Sequence, residues 1–386
     1  MSASDVVIVG GGPAGLFAGL SLARAGVQVD LFEEHREFGE PVHCTGVLAR
    51  EAFETFGLAP ASVLNELRTV NFFAPSGEMV EYSTPSVEAV VIDRFQFDRQ
   101  LAVQAQHAGV RMHQARVTAV SVEPDGVTVV AADSAIRARA CVLACGASYA
   151  LQRRLGLGIP RVMLNSAQME LPCERHGAVE VHFGADVAPG GFAWAVPVNR
   201  PGQPHVRVGV TCSADAGRHF HRILGTVRGR WGIQTTDGQH PRQKVLPLGP
   251  IRRTYGDRVL VLGDAAGLVK PTTGGGIYYS LLSAELAAAT LTAALAADDL
   301  GCERLASYET SWRKRLGSEL RWQLILRRIA QRLSDSDIDA LFELARTDGI
   351  MPIVRRTAAF NHHREFIVAL LKHPPARRVL FRAALA

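Results

Sequence analysis

Along the first third of the chain the hydrophobic pattern changes period several times. Val6 to Val9 form an unbroken apolar run, as a strand buried on both faces requires. Gly10, Gly12 and Gly15 follow, and Pro13 and Ala14 open a helical stretch that continues through Leu20 to Ala25 and stops at Gly26. Val27, Val29, Leu31 and Phe32 predict a second strand closed by Glu33. Arg94, Phe97, Asp98, Leu101, Ala102 and Ala105 are spaced as a helix, and Cys141 to Gly146 read as a strand returning to the first sheet. Val259 to Leu262 predict another buried strand, ending in Gly263-Asp264 before a long helix from Ile277. Between these blocks the period drops to two. Val70 and Phe72, Val80 and Tyr82, and Val179, Val181 and Phe183 alternate as antiparallel strands with one buried face.

This order predicts an α/β chain, α+β overall: a Rossmann-like nucleotide-binding domain, an inserted antiparallel β-sheet domain and a C-terminal helical region. The expected boundaries are 1–65, 93–160 and 245–300 for the first, 66–92 and 161–244 for the second, and 301–386 for the third.

Each glycine of the first turn has a physical task. Gly10 permits the tight turn, Gly12 lets the backbone approach a pyrophosphate, and Gly15 lets helix and strand pack closely. The helix N-terminus at Pro13 and Ala14 adds unpaired N–H groups and a partial positive charge. Glu33, 18 residues past Gly15, is placed to accept hydrogen bonds from ribose hydroxyls, and Arg94 to meet a phosphate. A second block then decides between a nicotinamide and a flavin. Asp264 at a strand end can hold a ribityl chain, and Gly274, Gly275, Gly276 and Ile277 make a glycine-rich helix start that favours negative charge on a reduced flavin ring. A nicotinamide enzyme has no use for this second site, so the expected cofactor is FAD. The competing reading of both blocks is a pair of glycine-rich turns with no ligand.

Composition and charge narrow the chemistry. With 47% hydrophobic and 20% charged residues the chain is not disordered. Only Lys244, Lys270, Lys314 and Lys372 are lysines, so no Schiff-base amine exists in the first 243 residues. Cys44, Cys141, Cys145, Cys173, Cys212 and Cys302 include no CxxC pair, which removes zinc ribbons and cysteine-held iron–sulfur clusters and suits a reduced, cytoplasmic setting. His219 with His221, and His362 with His363, lack accompanying acids or cysteines, so no metal is expected. The Ala-rich run Leu281–Ala297, broken by Glu285, Thr290 and Thr292, reads as too polar for a spanning helix. From Arg313 onward there are 15 Lys and Arg against 7 Asp and Glu, leaving 27 against 30 elsewhere. Trp322, Ile325, Leu326, Ile329 and Leu333 share one helical face flanked by Arg321, Arg328 and Arg332. That face suits peripheral contact with the inner surface of a membrane, or packing on the nucleotide domain with a solvated arginine edge. Nothing resembles a nucleic-acid-binding pattern.

Taken together, the blocks resemble the FAD-dependent group that includes aromatic hydroxylases, flavin halogenases and geranylgeranyl reductases, and within it the geranylgeranyl reductases over roughly Asp5 to Leu300. Pro41-Val42-His43-Cys44-Thr45-Gly46 is similar to that family's P-x-x-C-G segment, with Thr45 inserted. Gly191-Phe192-Ala193-Trp194-Ala195-Val196-Pro197 is similar to its Y-x-W-x-F-P strand, with Phe192 and Val196 as departures. The block from Gly263 to Tyr279 is similar to its flavin-ring segment. The resemblance implies that Gly12, Ala14, Glu33, Cys44, Thr45, Gly46, Arg94, Val117, Asp264, Gly276 and Ile277 contact FAD, Val117 being placed by spacing. Cys145 stands where hydroxylases of the group carry an aspartate, and the halogenases need an early lysine that this chain lacks.

Reduction of an isolated prenyl C=C needs hydride delivery from a flavin, a proton source and a dry apolar slot. Phe192, Trp194, Val196 and Tyr278 are the candidate walls, or else ordinary core. Cys44 is the candidate proton donor with His43 as relay, or else a packed thiol. The electron donor stays open between NAD(P)H and a reduced protein carrier, and the expected state is a monomer or weak oligomer. Two other functions fit the same blocks: oxygen-dependent monooxygenation of an aromatic or polyketide substrate, and prenyl-chain binding without chemistry.

Overall fold

The computed structural model describes residues 4–132, 134–234, 239–347 and 349–385. The chain divides into two compact units, one of residues 1–42, 94–162 and 247–318, the other of residues 43–93, 163–246 and 319–386.

The first unit is built on a sheet whose strands run in the order Tyr255–Gly256, Val259–Val261, Ser134–Leu143, Ser4–Val9, Val29–Glu33 and Arg111–Gln114. Ser4–Val9 pairs in parallel with both neighbours, Val6 lying opposite Ala140 on one side and Val29 on the other. Val6, Val7 and Ile8 are wholly buried, which is why that run contains no polar residue. Helix Pro13–Arg24 starts on a proline, ends before Gly26 at φ +83°, and packs against helix Ile277–Ala296. By length and composition the second of these is apolar enough to span a membrane, contrary to the reading of Leu281–Ala297. Its buried Leu281, Ala284, Ala287, Ala288 and Leu291 account for that apolarity as core of this unit, while Glu285 is exposed.

The second unit carries a seven-stranded sheet in the order Arg242–Leu248, Val162–Pro172, Gln203–Cys212, Phe192–Arg200, Val179–His182, Thr69–Phe73 and Met79–Ser83. Val179–His182 runs parallel to Thr69–Phe73, so the sheet is mixed rather than wholly antiparallel. A three-stranded sheet joins Val47–Ala49 and Val63–Leu67 to the two edges of Ala89–Ile92. This pairing explains why residues 43–65 belong here and not with the nucleotide-binding segments to which their sequence position assigned them. Nor do residues 301–386 form a region of their own: those up to 318 belong to the first unit and the remainder to the second.

Burial inverts the expected alternation in Val179–His182. Glu180 and His182 are buried while Val179 and Val181 are half-buried. Both faces of the strand are covered, and the carboxylate of Glu180 is saturated: it accepts hydrogen bonds from His182 Nε2 (2.8 Å), Arg230 Nη2 (2.7 Å) and Trp231 Nε1 (3.0 Å). Burial alone raises a carboxyl group's pKa, but the His182 and Arg230 hydrogen bonds outweigh it and hold Glu180 down at about 2. Period-two reading cannot foresee such a strand.

The C-terminal helices differ from expectation in the same way. Trp322, Ile325, Leu326, Ile329 and Leu333 are only half-buried, and the deepest line on the Cys302–Ala330 helix within this unit is Leu320, Gln323 and Arg327. Ile329 and Leu333 pack instead on Ile350, Leu370 and Leu380 of the following helices.

Candidate cofactor and substrate sites

The first unit brings Gly10, Gly12, Pro13, Ala14 and Gly15, at the turn into helix Pro13–Arg24, together with Glu33 at the end of the neighbouring strand, and a Cβ test separates the tasks of the glycines. A Cβ on Gly15 would stand 1.9 Å from the Gly10 carbonyl oxygen, and one on Gly10 would stand 2.4 Å from that of Ala144. Both glycines are therefore required by packing of the helix and the neighbouring strand loop. A Cβ on Gly12 would meet nothing within 4 Å. The chain is open there, and the following helix N-terminus has no side-chain cap, so its N–H groups are available to an anion. Glu33 accepts hydrogen bonds from Gly11 N–H (2.7 Å) and His35 N–H (2.9 Å), which fix the carboxylate and leave lone pairs for hydroxyl donors. Arg94 starts helix Arg94–His107 and is paired with buried Asp98 one turn on (2.7 Å). Val117 is buried at the start of Val117–Glu123.

Asp264 follows strand Val259–Val261 in a short turn of 3-10 helix. Gly276 lies so close to it that a Cβ would be 2.9 Å from Asp264 Oδ1. Gly274 sits at φ +74°, a left-handed conformation that glycine adopts without strain. Ile277 begins the long helix, whose N-terminus also lacks a side-chain cap. Tyr278 is half-buried in its first turn, edge-on to Tyr279. An open backbone at Gly12, two uncapped helix starts and acids at two strand ends fit the diphosphate, ribose, ribityl chain and ring of an FAD. Two residues here escaped sequence reading. Lys270 is 3% exposed, the sole buried lysine among the described residues, and its side chain borders Gly275. The Tyr149 hydroxyl is buried without a hydrogen-bond partner, and burial together with the charge of Asp264 pushes its pKa up. The small number of lysines made Lys270 conspicuous; nothing marked Tyr149.

The second unit holds His43, Cys44, Thr45 and Gly46. Cys44 is half-buried and its Sγ accepts the Gly46 N–H (3.3 Å), leaving its S–H to donate. The inserted Thr45 is anchored twice: its hydroxyl donates to Gln168 (3.0 Å), and its carbonyl accepts from Arg207 Nη1 (2.6 Å), which also binds the Ile92 carbonyl (2.9 Å). Arg207 is in turn paired with Glu170 (2.8 Å), which Arg200 also binds (2.7 Å). Gly46 must be glycine, because it lies at φ +73° and a Cβ would stand 2.5 Å from Arg207 Nη1. The partners that seat this turn lie on strands more than a hundred residues away, beyond any local pattern. His43 donates its ring N–H to the Arg242 carbonyl (3.0 Å); burial, with Lys244 nearby, lowers its pKa and keeps it neutral. Cys141 and Cys145 are free thiols, and burial raises both pKa values, that of Cys145 to about 12.

Phe192, Trp194 and Val196 do share a face. They cluster with Val91, Val198 and Leu67, and the Phe192 and Trp194 rings lie 5.7 Å apart. Gly209 on the paired strand makes room for the indole, since a Cβ there would fall 2.3 Å from Trp194 Cζ2. Tyr278 belongs to the other unit. Among the described residues no group of three or more His, Cys, Asp and Glu could hold a metal ion.

The FAD binding domain family model matches residues 3–320. A digeranylgeranylglycerophospholipid reductase of Methanocaldococcus jannaschii is 30% identical over 355 residues, covering 88% of this chain and 90% of that relative. One of the two such reductases of Methanothermobacter thermautotrophicus is also 30% identical, over 87% of this chain and 90% of its own. In three dimensions the chain is similar to a geranylgeranyl bacteriochlorophyll reductase-like protein from Thermoplasma acidophilum, with a TM-score of 0.85, 20% identity and 99% of each chain covered. A halogenase solved in complex with FAD shares the fold at a TM-score of 0.71 and 15% identity, over 100% of this chain and 92% of its own.

Proposed function

The chain belongs to the FAD-binding-domain family and, with its relatives, to the digeranylgeranylglycerophospholipid reductases, and from that premise we propose that it reduces the C=C bonds of geranylgeranyl chains carried on a glycerophospholipid or a related prenyl lipid. The observation that carries the proposal is the 30% identity over nearly the whole chain, joined to an aromatic face of Phe192, Trp194 and Val196 in the second unit. FAD, once bound and reduced, supplies the hydride.

The chain's own residues do the rest. Gly12 and the N-terminus of Pro13–Arg24 hold the diphosphate, and Glu33 and Asp264 take the sugar and ribityl hydroxyls. The uncapped start of Ile277–Ala296 favours negative charge on the ring. An isolated alkene offers no carbonyl to polarise, so the Phe192, Trp194 and Val196 face contributes orientation and exclusion of water. The Cys44 S–H is the proton donor in this scheme, and His43, neutral and bonded to Arg242, orients the turn rather than delivering a proton.

The cellular setting proposed is cytoplasmic, with peripheral contact to the inner membrane surface through the basic C-terminal helices. Exposed Arg355, Arg356, Arg377 and Arg378, and Phe381 at 48% exposure, support that contact.

The test is a single-turnover reaction. Chemically reduced protein mixed without oxygen with a geranylgeranyl glycerophospholipid should regain the oxidised flavin spectrum, and should not do so with the saturated phytanyl counterpart. Re-oxidation only on admitting air would point to a monooxygenase, and a purified protein that takes up no flavin would point to a prenyl-chain binding protein.

A further inference from the structure

Two arginines are fully buried among the described residues, and they are treated in opposite ways. Arg207, 4% exposed, is paired with Glu170 and bonded to two backbone carbonyls. Arg327, 6% exposed, has no carboxylate within ion-pair reach among the described residues. Its Nη2 donates to the Gly190 carbonyl, and its Nε–H is buried with no acceptor at all. Burial lowers its pKa only to about 10, so the guanidinium stays charged at neutral pH. A buried cation without a counter-charge is costly, and such a group is otherwise paired or bonded at every donor. An anion from outside the chain would satisfy both the charge and the Nε–H.

Its place in the fold says which kind. Gly190 is two residues before Phe192, where the strand bearing the aromatic face begins. The turn at Gly190, at φ +64°, also lies beside the residue just past the end of that helix, where a Cβ on Gly190 would be 3.8 Å from Gln331. Along that strand Trp194 Nε1 is a second buried donor with no acceptor. The unpaired charge therefore sits at the start of an apolar face, as the ends of an amphiphile require: a phosphate at one end and a hydrocarbon chain beyond it.

We propose that Arg327 is the anion-recognition residue of the substrate site, binding the phosphate group of a phosphorylated prenyl compound whose chain lies on the Phe192 and Trp194 face. The assignment rests on the proposed prenyl-lipid reading and adds to it the chemistry of the head. A planar guanidinium with its Nε–H and a terminal N–H facing phosphate can bind in two-point fashion, which an ammonium cannot.

The experiment measures binding to FAD-loaded protein by calorimetry, using geranylgeranyl diphosphate, a geranylgeranyl glycerophospholipid in neutral detergent, and geranylgeraniol as the uncharged reference. Arg327→Met should weaken the phosphorylated ligands about tenfold to a hundredfold while leaving geranylgeraniol within about twofold, and Arg327→Lys should recover only part of the loss. Arg222→Gln, which breaks an exposed ion pair with Asp186, serves as the charge-removal control. A loss confined to the diphosphate or to the phospholipid supports the proposal and identifies the source of the phosphate. Equal weakening of charged and uncharged ligands would make Arg327 a purely structural contact to Gly190, and unchanged binding of all three would equally overturn the assignment. Should Arg327→Met fail to fold, wild-type protein still decides: no preference for phosphorylated ligands over geranylgeraniol, and no competition by pyrophosphate, would contradict it. Protein that binds these ligands but leaves the alkene unreduced would sink the reductase reading while leaving the anion site intact.

Discussion

The two units of the molecule solve the problem of binding in different materials. In the first, the site is made of backbone: glycines that permit contact, helix ends left uncapped, and a carboxylate closing a strand. In the second, the turn carrying Cys44 is seated by side chains on distant strands, and buried ions cross-link the sheet to its helix. The difference teaches what each can tolerate. A backbone site fails when a methyl group is added, whereas a side-chain network fails when a charge is removed.

Substitutions at four positions sharpen that contrast. The largest effect is expected from Gly15→Val, whose Cβ would meet the Gly10 carbonyl at 1.9 Å. It should cost about 3 kcal/mol or more and abolish FAD retention, read by thermal melting and by the flavin absorbance that survives gel filtration.

Glu180→Ala comes next, because it leaves His182, Arg230 and Trp231 without their acceptor. The expected cost is about 2–3 kcal/mol, with FAD content unchanged. The same residue sets an acid dependence. Its pKa falls from 4.5 to about 2 on folding, so the ionised carboxylate stabilises the fold fully above pH 4.5, and that stability is lost as the pH falls towards 2. Wild type should lose melting temperature across this window and Glu180→Gln should lose less; parallel profiles would remove Glu180 from the account.

Gly209→Ala should displace the Trp194 indole at about 1–2 kcal/mol, seen as a shift in tryptophan fluorescence. Gly12→Ala should have the smallest effect on stability, within about 1 kcal/mol, because φ there is −81° and the space is open. Its FAD affinity should nonetheless fall about tenfold, since the added methyl occupies the approach to the diphosphate. If Gly12→Ala were to melt like Gly15→Val, the division of tasks among the glycines would collapse.

That division was visible in the sequence because it depends on residues a few positions apart. Gly10, Gly12, Gly15 and Glu33 are joined by one strand, one helix and one strand, and their spacing carries the geometry. Asp264 and Gly276 were legible for the same reason, as were Phe192, Trp194 and Val196 by period two. The pairing of Val47–Ala49 with Ala89–Ile92 was not, since partners forty residues apart leave no local trace. Glu180 and Arg327 went unmarked for a more general reason. Polarity patterns assume that charge faces water, whereas these two residues are buried, one fully paired and the other with its Nε–H lacking an acceptor. Tyr149 belongs with them, being a buried hydroxyl that only the fold brings near Asp264.

The central claim is that this chain transfers reducing equivalents to the double bonds of a prenyl lipid. Mass spectrometry of the lipid after turnover, with geranylgeranyl glycerophospholipid and dithionite-reduced protein under strict exclusion of oxygen, tests it most directly. Stepwise gain of hydrogen pairs without added oxygen atoms is the expected result. An unchanged lipid under these conditions, with an oxygenated product appearing only in air, would contradict it.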